Sequence, residues 1–249
     1  MCALILLHRV VPEFPVVLAA NRDEFYDRPS SPPRRFDARI PYVAPKDERA
    51  GGTWIGTNVA GVVAAVTNRT VAGVADEPSR PSRGALVPEA LSNGNLTAAR
   101  VHLERYLAET PLNGFHLLVA DAHDAMVVRG PNPIEFVRLE PGVHVITNLH
   151  ELDEIELLEA DRIAATANET SLVEIVGALA ELLGSTEPVA ADGFAPNKRR
   201  GDRGTVSSTI LATAETNQAG RPAPAGMFLH ADGAPDSTPY VDYAHQLRS

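Results

Sequence analysis

The order in which apolar segments follow one another is the feature of this chain that most constrains its fold. Strand-like runs come first, two helical segments follow, then more strands, two further helical segments, and final strands. This order lacks the strict alternation of strand and helix that a doubly wound parallel sheet requires. It predicts an α+β fold with antiparallel sheets, in which the helices lie outside stacked sheets.

The predicted strands are short runs rich in β-branched and apolar residues, bounded by glycine, proline or polar residues. They cover residues 3–11, 15–20, 53–56, 61–67, 115–121, 125–129, 134–139, 143–147, 205–212 and 227–230. We expect 115–121 and 125–129 to form one hairpin, and 134–139 and 143–147 to form a second around Pro141-Gly142. The proline- and arginine-rich segment from Arg28 to Pro45 is expected to be an ordered but irregular loop.

Four segments carry helical spacing of their apolar residues, namely 82–91, 96–108, 152–167 and 171–183. Asn95 is a suitable N-cap for the second of them. Ser171, with Glu174 three residues later, has the spacing of a capping box at the start of the fourth. The tail after Asp236 is rich in proline and polar residues, and we expect it to drape over the body of the protein.

The size and composition of the chain favour one globular unit. The 249 residues are 44% hydrophobic and 22% charged, and no linker or charge run separates two halves, so 1–249 is predicted to be a single domain. No apolar run approaches the roughly 18 to 20 residues that cross a bilayer, and the N-terminus lacks the layout of a signal peptide. We therefore expect a cytoplasmic protein without a membrane span.

Charge and cysteine content limit the partners and cofactors. A net charge of −10 disfavours nucleic acid, because an acidic surface repels phosphate backbones. A single cysteine excludes internal disulfides and any zinc site built from several thiolates, and no two histidines have a ligand spacing such as His-x-x-x-His. The sequence thus predicts no metal and a small-molecule substrate or ligand, and it leaves the oligomeric state open.

The lone cysteine is Cys2, a position that suggests a chemical role. Initiator methionine is normally removed before a small side chain, which would leave Cys2 with a free α-amine beside its thiol. The amine has an ordinary pKa of about 7.7 to 8.0 and the thiol about 8.5, so the amine can act as the base for its own nucleophile. The alternative is that Cys2 is a small buried apolar residue that opens a strand.

Several short motifs together support a chemical role for this end of the chain. They are Met1-Cys2, Asn21-Arg22-Asp23-Glu24, Gly51-Gly52-Thr53-Trp54-Ile55-Gly56, Thr67-Asn68, Arg83-Gly84, Asn113-Gly114-Phe115 and Thr147-Asn148. In this combination the sequence resembles the NRDE-motif family, also called the transport and Golgi organisation protein two family. The resemblance runs from Met1 to at least Leu211.

This family is similar to the N-terminal nucleophile (Ntn) hydrolases, and its nearest enzymatic relatives look like choloylglycine hydrolase and penicillin V acylase. The resemblance implies a four-layer α-β-β-α sandwich and hydrolysis of an amide through an acyl-thioester on Cys2, with no cofactor required. The Gly-x-Asn-x-x-Gly spacing from Gly56 to Gly61, followed by Asn68, and the segment ending at Asn148 also resemble those hydrolases.

The resemblance also assigns expected roles to individual residues. Asn68 and Asn148 would donate hydrogen bonds to the oxyanion that forms when Cys2 attacks a carbonyl; the alternative for each is a turn residue at a strand end. Glu24 matches an acidic position expected to orient the N-terminal amine. Asn21 stands where the hydrolases have arginine, and Arg22 and Asp23 either compensate for that change or mark a different ligand.

A second departure keeps a non-enzymatic function open. Many relatives have arginine after the Gly-Thr pair, whereas this chain has Val206 after Gly204-Thr205, with Arg203 ahead of the pair. Relatives are implicated in haem trafficking and in acyl-CoA or lipid homeostasis, so the same pocket could hold haem or acyl-CoA without turnover, or the fold could be an inert scaffold. For acyl-CoA, the arginines that would surround a phosphate are Arg22, Arg28, Arg34 and Arg35.

Overall fold

The structure, a computed structural model, describes residues 3–214 and 225–248; Cys2 lies outside them. Its strands are short segments distributed along the whole described chain. In chain order they are β1 (Ala3–Val11), β2 (Phe14–Phe25), β3 (Ser30–Phe36), β4 (Tyr42–Asp47), β5 (Ile55–Asn58), β6 (Val63–Asn68), β7 (Phe115–Ala120), β8 (Ala125–Gly130), β9 (Glu135–Leu139), β10 (Gly142–Thr147), β11 (Arg199–Arg200), β12 (Arg203–Thr213), β13 (Ala225–Ala231) and β14 (Val241–Asp242).

The helices come as two pairs between the groups of strands. They are α1 (Leu86–Leu91), α2 (Leu96–Glu109), α3 (Leu158–Thr166) and α4 (Leu172–Gly184), with short 3-10 turns at Arg83–Ala85 and Ala244–Leu247. The Asn95 side chain caps α2 by accepting a hydrogen bond from the Ala98 N–H. Ser171 and Glu174 form the expected capping box at the start of α4.

Two antiparallel sheets form the centre of the molecule. Within the described residues, sheet A has the strand order β10-β1-β2-β12-β13-β14, with β11 paired to β12, and sheet B runs from β3 to β9 in sequence order. One apolar core lies between the two sheets, a second between sheet A and the helices α3 and α4, and a third between sheet B and α1 and α2. The predicted α+β class and the four-layer α-β-β-α sandwich are both confirmed.

The first two strands are apolar on both faces because both faces are covered. Along β1, Leu4 and Leu6 pack between the sheets, whereas Ile5 and Leu7 pack against the α3 and α4 layer. A strand that is buried on both faces reads as a continuous hydrophobic run rather than as an alternating one. This explains why residues 3–11 were recognisable as a strand from the sequence alone.

The expectation of an irregular loop from Arg28 to Pro45 is wrong, because this segment contains β3 and most of β4. Pro32 and Pro33 lie in β3, the edge strand of sheet B, where proline is tolerated because one side of the strand has no ladder to break. The register of β3 against β4 also shifts between Ser31 and Arg34, on either side of Pro32 and Pro33. The high proline content of this segment therefore corresponds to an edge strand with a bulge.

The second predicted hairpin is also wrong, although both of its strands exist. β9 pairs with β8 in sheet B, whereas β10 pairs with β1 in sheet A, so the turn at Pro141-Gly142 passes from one sheet to the other. Local sequence identifies a turn, but the partner of a strand depends on contacts distant in sequence. β10 consequently reaches the edge of β1 beside Ala3.

The third predicted helix is shorter than expected, since α3 begins at Leu158. Asp153 has a φ of 57°, which cannot continue a helix. It pairs instead with β10: its N–H donates to the Val145 carbonyl, and its carboxylate accepts the Val145 N–H. The described part of the tail is more integrated than the expected surface drape, since β14 pairs with β13, and Ala244 and Leu247 are buried between the sheets.

Candidate functional site

The motif from Asn21 to Glu24 forms the end of β2, between β1 and β12. Asn21 pairs with Ala3 on one side and with Ser208 on the other. β12 carries a bulge here, because Thr205 is the partner of Asp23 and Ser207 is the partner of Arg22. Bulges re-aim neighbouring side chains and are frequent beside active sites.

Asn21 holds the local structure together and does not line the cavities described below. Its side chain is buried, and its Nδ2 donates to the carbonyls of Leu183 at 2.9 Å and Pro196 at 3.1 Å. These bonds tie β2 to the end of α4 and to the loop that follows it. Asn21 therefore stabilises the wall of the site.

Arg22 is a buried cation between the two sheets. Its guanidinium lies 4.1 Å from the centre of the Trp54 ring, and its Nη2 is 3.8 Å from Oδ2 of Asp47. Burial, together with the charge of Arg22, lowers the pKa of nearby His230 to about 4. His230 is therefore neutral near pH 7, and Arg22 supplies the positive charge of this region.

Asp23 is the most buried carboxylate of the motif, with a side chain that is only 4% exposed. Its Oδ1 accepts a 2.6 Å hydrogen bond from the Thr205 hydroxyl, and its Oδ2 lies 4.0 Å from Nζ of Lys198. Burial raises the pKa of Asp23, whereas Thr205 and Lys198 act in the opposite direction. Sequence reasoning missed Lys198, although it is one of only two lysines in the chain.

Glu24 lies nearer the solvent than Asp23. Its Oε1 accepts the N–H of Phe25 at 2.9 Å, and its Oε2 is 3.6 Å from Arg28. Its side chain is 24% exposed. The expectation that Glu24 orients the N-terminal amine stays a prediction, and Asp23 is the carboxylate with the more enclosed position.

Two adjoining cavities bring most of the expected site residues together. The smaller one, of about 110 Å³, is lined by Arg22, Asp23, Glu24 and Asn68, and the other, of about 200 Å³, is lined by Asp23 and Asn148. Asp23 lines both cavities and therefore lies where they meet. Small ligands bind in concave sites where a few placed polar groups fix their orientation.

The expected oxyanion donors Asn68 and Asn148 lie at the ends of β6 and β10, in different sheets. The Thr70 N–H donates to the Asn148 carbonyl at 3.0 Å, which joins the two chain segments directly. The side-chain Oδ1 of Asn148 is buried and has no hydrogen-bond donor among the described residues. This unpaired atom is an acceptor, so the expected donor role of the Asn148 Nδ2 stays a prediction.

A charged network connects the chain segments that follow these two asparagines. Glu151 Oε1 accepts hydrogen bonds of 2.8 and 2.6 Å from Nε and Nη2 of Arg69, while its Oε2 lies 3.3 Å from Arg129 and 3.5 Å from the buried His116. Burial alone would raise the pKa of Glu151, but the hydrogen bonds and charge of Arg69 bring it below the ordinary value. One carboxylate thus links the sheet ends that carry Asn68 and Asn148.

Glu151→Gln is expected to lower the free energy of unfolding by about 1 kcal/mol at pH 7, since the partly exposed carboxylate is screened by solvent. A pKa that is depressed in the folded state stabilises above the ordinary glutamate pKa and stops stabilising as pH falls through the folded value. The difference from the original protein should therefore shrink below about pH 4. Urea denaturation at both pH values measures it, with Glu181→Gln on the exposed face of α4 as a control. A difference independent of pH would contradict this role.

The four arginines proposed as a phosphate site do not gather around one concavity. Arg22 and Arg28 both line the smaller cavity and both approach Asp47. Arg34 lies over the Phe36 ring and Arg35 pairs with Asp37, on the edge strand β3. Only the first two arginines are therefore brought together.

Arg203 reaches the site. The alternation of side chains along a strand could not establish this from the sequence alone. The Arg203 guanidinium lies 4.0 Å from the centre of the Phe25 ring, and it lines the 200 Å³ cavity with Asp23. Val206 falls within the bulge of β12, between the residues that pair with Asp23 and Arg22. In this chain a cation therefore precedes the Gly-Thr pair and lines the cavity.

Two other features, a metal-binding cluster and a membrane-spanning helix, were sought in the described part of the chain. Among residues 3–214 and 225–248, no three acidic, histidine or cysteine side chains come together as a metal ion would require. The helices within those ranges all fall short of the length and hydropathy needed to cross a bilayer.

Solved structures share this arrangement of layers, and they define the class of the fold. The C2A mutant of conjugated bile acid hydrolase from Clostridium perfringens superposes with a TM-score of 0.55 at 10% identity, covering 98% of this chain and 93% of the hydrolase. Penicillin V acylase from Agrobacterium tumefaciens gives 0.57 at 15% identity, covering 99% and 88%. The chain has an Ntn-hydrolase fold.

Sequence comparison narrows this class to one family. The sequence model of the family described as Transport and Golgi organisation 2 matches residues 1–218, and the chain belongs to that family. The Transport and Golgi organization 2 homolog of Mus musculus is 32% identical over 145 residues, which cover 53% of this chain and 50% of the mouse protein. The chain spans about half the length of the curated relatives it matches.

Proposed function

We propose that this protein is a cysteine amidohydrolase that cleaves a carbon–nitrogen bond of a small-molecule amide, with Cys2 as nucleophile after removal of Met1. One observation carries the proposal. Ala3 pairs with Asn21 and Thr147, the sequence neighbours of Arg22 and Asn148, which line the two adjoining cavities. Cys2 is covalently bonded to Ala3.

Two solved structures with this fold have names that agree with the proposal. They are described as a bile acid hydrolase and a penicillin acylase, and the hydrolase was solved as a C2A mutant. That enzyme therefore has a cysteine at position 2, as this chain does. The identities of 10% and 15% establish fold alone, so the activity is proposed from the site residues of this chain.

In the first half of the proposed reaction, the α-amine of Cys2 takes the thiol proton and the thiolate attacks the amide carbonyl carbon. The tetrahedral oxyanion accepts hydrogen bonds from the side-chain amides of Asn68 and Asn148, and one such donor is worth about 3 kcal/mol. Collapse breaks the carbon–nitrogen bond, and the ammonium returns its proton to the leaving amine. An acyl-thioester on Cys2 remains.

In the second half, water replaces the departed amine. The α-amine takes a proton from water as the oxygen attacks the thioester carbonyl, and the thiolate leaves and regains that proton. The sum is amide plus water giving carboxylic acid plus amine. No metal or redox cofactor enters this balance.

We assign Asp23 to orienting the α-ammonium that forms during the reaction. The carboxylate is held by the Thr205 hydroxyl and is almost fully buried, so its attraction for a cation is weakly screened. Glu24, at the more exposed rim, is assigned to the outer electrostatics of the same cavity. This assignment differs from the sequence-based expectation for Glu24.

The experiment that tests the proposal is intact mass spectrometry before and after brief exposure to iodoacetamide. Cys2 is the only cysteine, so every adduct reports on it, and Cys2→Ala is the blank. We expect a mass lacking Met1 and alkylation at pH 7 faster than that of glutathione, because an amine-activated thiol is more ionised. Asp23→Asn should slow labelling.

Retention of Met1, or an inert thiol, would overturn the amidohydrolase proposal. A haem titration of the same samples then distinguishes the alternative function. Saturable haem binding by a protein with an inert Cys2 would indicate a carrier that uses the cavity without turnover.

A further inference from the structure

A cationic hairpin adjoins the site on the side of Asp23. Residues 198–204 contain Lys198, Arg199, Arg200 and Arg203, and β11 and the start of β12 pair antiparallel around the turn at Gly201-Asp202. The protein as a whole carries a net charge of −10. Four cations within six residues are therefore a local reversal of its charge.

The cationic hairpin is held in a fixed position relative to the site. The Lys198 N–H donates to the Thr205 hydroxyl at 2.9 Å, and the Thr205 N–H donates to the Lys198 carbonyl at 2.8 Å. The Tyr26 N–H donates to the Asp202 carbonyl at 3.0 Å, which ties the turn to the chain leaving β2. The same Thr205 hydroxyl donates to Asp23, so the hairpin and the carboxylate share one anchor.

Lys198 and Arg200 connect the site to a further cavity. Both line the 200 Å³ cavity that contains Asp23 and Asn148, and both line a cavity of about 370 Å³ whose wall includes Phe194. The Lys198 ammonium lies 4.5 Å from the centre of the Phe194 ring. A ligand could therefore extend from Asp23 past Lys198 and Arg200.

The ion pairs of the hairpin identify which cation can receive a ligand. Lys198 lies near Asp23, Arg199 pairs with Asp236, and Arg203 is 3.4 Å from Asp202. In the described part of the chain, no carboxylate lies within ion-pair distance of the exposed Arg200. A guanidinium presents two parallel N–H groups that match a carboxylate or a phosphate.

We propose that Arg200, supported by Lys198, binds an anionic group of the substrate, a carboxylate or a phosphate, in the cavity that also contains Asp23 and Asn148. The inference rests on the proposed function and specifies its substrate class: amides that carry a negative charge near the bond that is cleaved. Phe194 gives the adjoining 370 Å³ cavity an apolar wall. The anion is therefore expected beside an apolar portion of the ligand.

The experiment measures binding without turnover, in the Cys2→Ala background, by isothermal titration calorimetry. The probes are N-benzoylglycine, its uncharged primary amide, and N-benzoylaminomethylphosphonate. We expect the carboxylate or the phosphonate to bind at least tenfold more tightly than the uncharged amide. The preferred anion distinguishes a carboxylate substrate from a phosphate one, and the preference should weaken as ionic strength rises.

Arg200→Gln should abolish the preference for the anion while leaving the binding of the uncharged amide unchanged. Arg105→Gln, which alters an exposed arginine on α2, is the matched control and should keep the preference. Equal binding of charged and uncharged probes by the parent, or an undiminished preference in Arg200→Gln, would overturn the inference. Anion preference in this experiment, together with a retained Met1 or an inert Cys2 thiol in the original protein, would keep the binding site and refute the hydrolase proposal alone.

Discussion

Replacing Cys2 with alanine is expected to lower kcat on an amide substrate about a thousandfold or more, because the covalent route through an acyl-thioester is lost. The affinity for the intact amide should change little, since the side chain that is removed is small and the cavity walls remain. Steady-state hydrolysis gives kcat, and calorimetry with the unreacted amide gives the dissociation constant. The separation of the two effects distinguishes a nucleophile from a binding contact.

Cys2→Ser is the matched variant, because it keeps a nucleophilic atom and the adjacent α-amine. A hydroxyl is far less ionised than a thiol near neutral pH, so this variant should hydrolyse more slowly than the parent but measurably faster than Cys2→Ala. It should also accumulate an oxygen ester detectable by mass. Equal activity of the parent and Cys2→Ala would exclude Cys2 from the chemistry.

Gly52→Ala is expected to reduce the free energy of unfolding by about 3 kcal/mol, the upper part of the usual range for overpacking. A Cβ on Gly52 would lie 2.6 Å from the carbonyl carbon and oxygen of Gly84. Neither backbone can move easily, since the Asp47 N–H donates to the Gly52 carbonyl and the Thr53 N–H donates to the Gly84 carbonyl. Guanidinium denaturation measures the loss as a lower midpoint at an unchanged slope.

The control for this substitution is Gly177→Ala, which should increase the free energy of unfolding. Gly177 lies within α4, and apart from the adjoining residues and backbone of its own helix, no atom of the described residues lies within 4 Å of the Cβ that alanine would add. Alanine in a helix interior is worth about 0.5 to 1 kcal/mol over glycine. Destabilisation by both variants would show that the contact between Gly52 and Gly84 is not the cause.

Elements whose signals are local could be predicted from the sequence. The Ser171 capping box and the Asn95 cap predicted helix starts, and the apolar run of β1 predicted a buried strand. Strand partners were less accessible, because the pairing of β10 with β1 joins residues more than 130 positions apart. The position of Asp153 likewise depends on Val145 and not on its own neighbours, which is why α3 was predicted too long.

The same distinction applies to the candidate site. Motifs identified Asn68, Asn148 and the residues from Asn21 to Glu24, but not which of them face a common space. Asn21 stabilises the wall of the site through its contact with Leu183, and Asp23 is enclosed through its contact with Thr205. Both partners are far away in sequence. Lys198 carried no motif, and only its approach to Asp23 connects it with the site.

The placement of β1 and β2 in the middle of sheet A has a consequence for biosynthesis. These two strands can pair with each other soon after they are made, but β10 and β12, which complete their outer edges, follow more than 115 and 175 residues later. Until then the nascent chain exposes an apolar hairpin with two unpaired edges. Such edges can bind chaperones or pair with strands of other chains. The end of the sheet that carries the candidate site is thus started first and finished late, so its assembly depends on nearly the whole chain having been synthesised.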